Sequence, residues 1–92
     1  MRNFKHYMQI QMVELQEHKW YLSEKAGHDI GENETIFDWV TSGHAKRFNE
    51  AYTSHEEQIE REIQTNGLVP ILQDKNKLHE LLEDDMFVGS RL

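Results

Sequence analysis

The stretch Glu17-His18-Lys19-Trp20-Tyr21-Leu22-Ser23-Glu24-Lys25-Ala26-Gly27-His28-Asp29-Ile30-Gly31 decides how this chain folds. Upstream of it, Phe4, Tyr7, Met8, Gln11, Leu15, His18, Tyr21, Leu22 and Lys25 recur at three- and four-residue steps. That spacing predicts one long helix over residues 2–26. Gly27 falls where a left-handed C-terminal cap belongs, and Lys25 stands close to the negative end of the helix dipole. Asp29-Ile30-Gly31-Glu32 has the spacing of a capping box, with Asp29 as N-cap and Asn33 as a competing cap. The expectation is a helical hairpin closed by Ala26–Gly31.

Working outward, the first helix carries apolar residues on two faces. At about 100° per residue, Trp20 lies roughly 200° from His18, on the side of Ile10 and Val13. Such a helix is expected to be sandwiched, within its own fold or against a second copy. A second helical stretch carries Ile36, Phe37, Trp39 and Val40 and is weakened or broken at Ser42-Gly43. Helical spacing resumes through Ala45, Phe48, Ala51 and Tyr52. A further break is expected near Thr53, where Ser54-His55-Glu56-Glu57 repeats the capping-box spacing. Ile59 and Ile63 extend the pattern to the stop at Asn66-Gly67.

Beyond that stop, either Pro70 stands in the first turn of a last helix or Asp74 caps one. That helix carries Leu78, Leu81 and Leu82 and fades at Glu83-Asp84-Asp85, with Met86-Phe87-Val88 available to pack back. The reading is an all-α bundle of about four segments, with residues 1–66 as the hairpin and bundle core. Residues 67–92 form a C-terminal short helix and tail of the same domain.

Composition narrows the function classes. The chain has 92 residues, a net charge of −7 and a hydrophobic fraction of 37%. A body this small buries only about 60–65% of its unfolded surface, so a partner has much to contribute. Residues 54–92 hold four basic against nine acidic side chains, whereas residues 1–25 are near neutral. A surface of this sign repels phosphate, which argues against nucleic acid and anionic membranes as partners. Cysteine is absent, which removes disulfides, thiolate nucleophiles and thiolate metal sites. Without apolar runs of about 20 residues or a signal-peptide core, a cytoplasmic location is expected.

The inventory for catalysis is thin. Ser23, Ser42, Ser54 and Ser90 lie in no Gly-x-Ser-x-Gly elbow, and no phosphate loop or dinucleotide fingerprint is present. The chain is read as no enzyme and as needing no cofactor. Six histidines invite a metal reading, but Glu-x-x-His and His-x-x-x-His, which place two ligands on one helix face, both fail to occur. The four-residue pairs Glu14/His18, Glu24/His28 and His79/Glu83 are equally what helix-face hydrogen bonding produces. The alternative to a noncatalytic role is a His/carboxylate site, metal-binding or hydrolytic, built from His18, Glu14, Glu24, His28 and Asp29. His18, His44 and His55 are expected to face inward, either as satisfied core residues or as a pH-sensitive layer. Trp20-Tyr21 and Phe37-Trp39 are expected to pack between the first two helices. The competing role is a self-association or partner face, where such residues concentrate.

From His18 to Gly31, followed by Asp38-Trp39, the chain resembles a motif of bacterial helical domains of unknown function. That motif runs His, basic, aromatic, then Ser-Glu, Ala-Gly, Asp, Gly and an Asp-aromatic pair on the next helix. It covers residues 18–39. The resemblance implies a helix–turn–helix module that appears beside other modules in larger proteins, with His18, Ser23, Glu24, Gly27, Asp29, Gly31 and Asp38 as signature positions, and it brings no activity. The functional surface expected from all of this comprises His18, Trp20, Ser23, Glu24, His28, Asp29, Asp38 and Trp39. A noncatalytic protein-interaction or accessory module, homodimeric through its two-faced first helix, is the resulting expectation.

Overall fold

A computed structural model describes residues 2–82 of the chain, and these are all-α. The described helices are α1 (Phe4–Ala26), α2 (Glu32–Thr41), α3 (His44–Ser54), α4 (Glu56–Asn66), α5 (Val69–Gln73) and α6 (Lys75–Leu82). Six segments replace the expected four because the chain breaks at every weak point. Gly43 and Gly67 both take positive φ, at 92° and 85°, a conformation that glycine adopts without steric cost.

Helix α1 is the spine. Asn3 caps it, its Oδ1 accepting from the His6 amide at 3.2 Å. Gly27 ends it in the left-handed region, and its amide donates to the Ser23 carbonyl at 2.9 Å. The exit loop then turns back on the helix, because the Ile30 amide donates to Ser23 Oγ at 3.0 Å. Ser23 thus serves the loop, and the Asp29 capping box does not form. Gly31 is the N-cap of α2, without a side-chain cap bond, and Asn33 lies inside the first turn. The Ser54 box is also not made. Ser54 is the last residue of α3, and α4 follows His55 with no side-chain cap. Asp74 does cap α6, its Oδ1 accepting from the Asn76 and Lys77 amides at 3.0 and 3.3 Å. Pro70 instead stands in the first turn of the separate short helix α5, not of the helix that carries Leu78.

The other helices lie around α1. Helix α2 returns beside its C-terminal half. Helices α3 and α4 reach its N-terminal half, where Arg2 meets Asn49, Thr53 and Glu56 and His6 meets Glu60. Helices α5 and α6 close the remaining side, and Lys77 of α6 holds Glu62 of α4 at 2.8 Å. The core so enclosed contains Ile10, Trp39, Phe48, Ala51, Tyr52, Ile59, Ile71, Leu78 and Leu82. Its aromatic part is continuous. Tyr7 packs edge-on to Tyr52 at 4.9 Å and tilted to Phe48 at 5.3 Å, with Trp39 beyond Phe48 at 6.2 Å.

Two expectations about α1 and α2 are corrected. The buried row of α1 is Ile10, Glu14 and His18, whereas Phe4, Met8 and Tyr21 of the expected stripe are exposed. Of the aromatic pairs expected to pack between the helices, only Trp39 is buried, at 3% exposure. Trp20 is 64% exposed, Phe37 70%, and Tyr21 also faces solvent. With α2 on the His18 side and α6 on the Glu14 side, no described element covers the far side of α1. The expected fading of α6 at Glu83–Asp85 and the packing of Met86–Val88 lie outside the described residues.

Candidate functional site

The row Ile10–Glu14–His18 advances four residues at a time, so one core-facing stripe carries an isoleucine, a carboxylate and an imidazole. Both polar members are met from other helices. His18 Nε2 donates to Asp38 Oδ2 of α2 at 2.7 Å. His79 Nε2 of α6 donates to Glu14 Oε1 at 2.6 Å, with Glu14 and His79 only 3% and 4% exposed. Pairing is what permits such burial, since an uncompensated charge there costs several kcal/mol. Neither pair is the four-residue pair that spacing along one helix offers: Glu14 chooses His79 over His18, and the partners are 65 residues apart.

Rings continue the layer. His44, at the start of α3, lies 4.5 Å from the His18 ring and stacks on Trp39 at 5.5 Å and 28°. His18 meets the edge of Trp39 at 5.5 Å, and Trp39 Nε1 donates to Gln11 Oε1 at 3.3 Å. Burial, and after it the neighbouring His18, hold the His44 imidazole below its ordinary value, against the opposing pull of Asp38. A second buried polar group lies deeper. The Tyr52 hydroxyl has no hydrogen-bond partner among the described residues, and burial, with Glu60 and Glu56 adding to it, pushes its phenol well above the ordinary range.

The expected surface residues divide sharply. His18, Asp38 and Trp39 join the layer between α1, α2 and α3. Ser23 holds the loop. Glu24, His28 and Asp29 are exposed, and His28 Nδ1 donates to the Asp29 carbonyl at 3.1 Å. Glu14 and Glu24 are ten residues apart on one helix, about 15 Å along its axis. The five-residue site of His18, Glu14, Glu24, His28 and Asp29 is therefore not assembled. His55 is also apart from the layer, its Nδ1 donating to the Ala51 carbonyl at 3.0 Å. What sequence reasoning missed is Glu17 and His79. With Glu14 they bring ligand-type atoms within 4.8 Å of one another. The three-residue step from Glu14 was the available signal for Glu17, whereas nothing in residue order pairs His79 with them.

On the outside of the same hairpin lies a groove of about 550 Å³ between the end of α1 and α2. Leu22, Ala26, Ile30 and Phe37 form its apolar floor and wall; Lys25 stands on the α1 rim, with Glu34 and Asp38 on the α2 rim. Exposed Ile36 and Val40 extend the apolar surface along α2. None of the described helices is long and apolar enough to cross a membrane. Comparison with known protein families, with curated proteins and with solved structures finds no match for this chain.

Proposed function

We propose that this chain is a noncatalytic protein-interaction module, and that the groove beside α2 receives the same face of a second copy. The observation that carries this reading is Phe37, an aromatic side chain 70% exposed at the lip of an apolar groove. Large exposed apolar groups clustered in this way mark interaction surfaces more often than they occur by chance on monomers. The charges at the rim favour a like copy. A two-fold arrangement of α2 against α2 seats each Phe37 between Leu22 and Ile30 of the other chain. It also brings the Lys25 rim of one copy toward the Glu34 rim of its mate. These Lys25–Glu34 approaches offset part of the repulsion between two copies of a chain with an overall charge of −7.

The same composition supports the rest of the reading. A cysteine-free, acidic chain suits a reducing cytoplasm and disfavours phosphate backbones as partners. The test is Phe37→Asp. Wild type is expected to sediment as a dimer at tens of micromolar and the variant as a monomer, both with unchanged far-UV circular dichroism. A wild-type chain that stays monomeric throughout that range, or a variant that still dimerises, removes the self-association reading.

A further inference from the structure

We infer that Glu14, Glu17 and His79 form a binding site for one divalent transition-metal ion, which clamps α6 onto α1. This site is separate from the groove and independent of dimerisation. Glu14 and Glu17 share a face of α1 because three residues make nearly one helical turn, and His79 arrives from α6. One ligand atom from each residue lies within 4.8 Å of the other two. A tetrahedral cation about 2.0–2.2 Å from its ligands sets them roughly 3.4 Å apart, so side-chain rotations that move the ligand atoms by about an ångström complete the site.

The donor chemistry selects the class of ion. One imidazole nitrogen and two carboxylates suit zinc, manganese or ferrous iron, whereas calcium and magnesium prefer oxygen alone. Charge points the same way. Two carboxylates with a neutral imidazole carry a charge of minus two, in a place where Glu14 and His79 are nearly sealed from water. Without a metal, His79 Nε2–H answers Glu14, and Lys75, 3.9 Å from Glu17 Oε2, lies on the solvent side of the cluster. A divalent ion answers both carboxylates from within and takes the place of the His79–Glu14 hydrogen bond. Glu17 and Lys75 mark the side from which it enters.

The other histidine group is a poorer receptor. His18 Nε2 is directed at Asp38, and the rings of His18, His44 and Trp39 are stacked edge and face rather than aimed at one point. It serves as the internal control.

The test uses the full chain without a histidine tag, stripped with chelator and titrated calorimetrically with zinc chloride. One zinc per chain is expected, with a dissociation constant of micromolar or tighter and a melting temperature raised by about 10 °C at saturation. Glu17→Gln keeps the shape of the side chain and the Glu14–His79 pair, and is expected to weaken zinc binding about tenfold or more. Should that variant fold poorly, the wild-type histidine ring resonances decide. Zinc must perturb His79 before His6, His18, His28, His44 or His55. Absence of stoichiometric binding, undiminished binding by Glu17→Gln, or first perturbation at His18 and His44 each overturns the assignment.

Discussion

At the scale of single residues, the informative side chains are polar ones placed where apolar ones would suffice. Tyr52 is wholly buried, and its hydroxyl has no hydrogen-bond partner among the described residues. Its ring does the packing, against Tyr7 and Phe48. Tyr52→Phe is therefore expected to leave stability unchanged or raise it by up to about 1 kcal/mol in urea denaturation. A loss of more than that would mean that the hydroxyl is satisfied. His44 yields a pH dependence whose sign follows from its surroundings. Because burial lowers its folded value, the unfolded chain binds the proton more readily. Its contribution to stability is complete at neutral pH and is lost as pH falls below about 6.5, until the lowered folded value is passed. His44→Gln is expected to flatten the slope of stability between pH 7 and 5, measured by denaturant unfolding at each pH. An unaltered slope would place that dependence elsewhere.

At the scale of elements, α1 and α2 each carry a tryptophan with opposite fates. Trp39 reaches the core, where it contacts His18, His44, Phe48 and Gln11. Trp20 projects from the far side of α1. Trp39→Ala is expected to cost about 3–5 kcal/mol, and Trp20→Ala less than about 0.5 kcal/mol. Thermal melts of the two variants check this contrast, and equal losses would refute the placement of Trp20. Much of the element structure was legible in residue order. Gly27, Ser42-Gly43 and Asn66-Gly67 act as breaks through backbone conformation and local hydrogen bonding, which depend on neighbours in the chain. The capping boxes at Asp29 and Ser54 were less legible. Caps compete with loop bonds, and at the first turn the loop bond from Ile30 to Ser23 prevailed.

At the scale of the whole molecule, five shorter helices surround one helix of 23 residues among the described residues, a length of about 34 Å. The principal extents are 40 × 22 × 22 Å, so α1 runs most of the length of the protein. A body this slender leaves apolar side chains uncovered on α1 and α2, and the proposed dimerisation would couple to folding. The melting temperature of the wild type is expected to rise with protein concentration and that of Phe37→Asp to stay constant. Calorimetric scans over a hundredfold concentration range would expose a concentration-independent wild type and refute the coupling.

The all-α class, the long first helix, its glycine stop and the Asp74 cap follow from residue order alone, since each depends on interactions within a few positions. The tertiary structure decided which face of α1 is inner. Apolar residues occur all round that helix, so periodicity could not rank the row through Glu14 and His18 above the row through Met8 and Tyr21. It also decided the partners of the buried charges. Glu14 has His18 four residues away on its own helix, yet it bonds to His79, whose position is set by the packing of α6. Short-range spacing offers a histidine pairs along one helix. Packing decides otherwise here: Asp38 of α2 takes His18, and His79 of α6 meets Glu14.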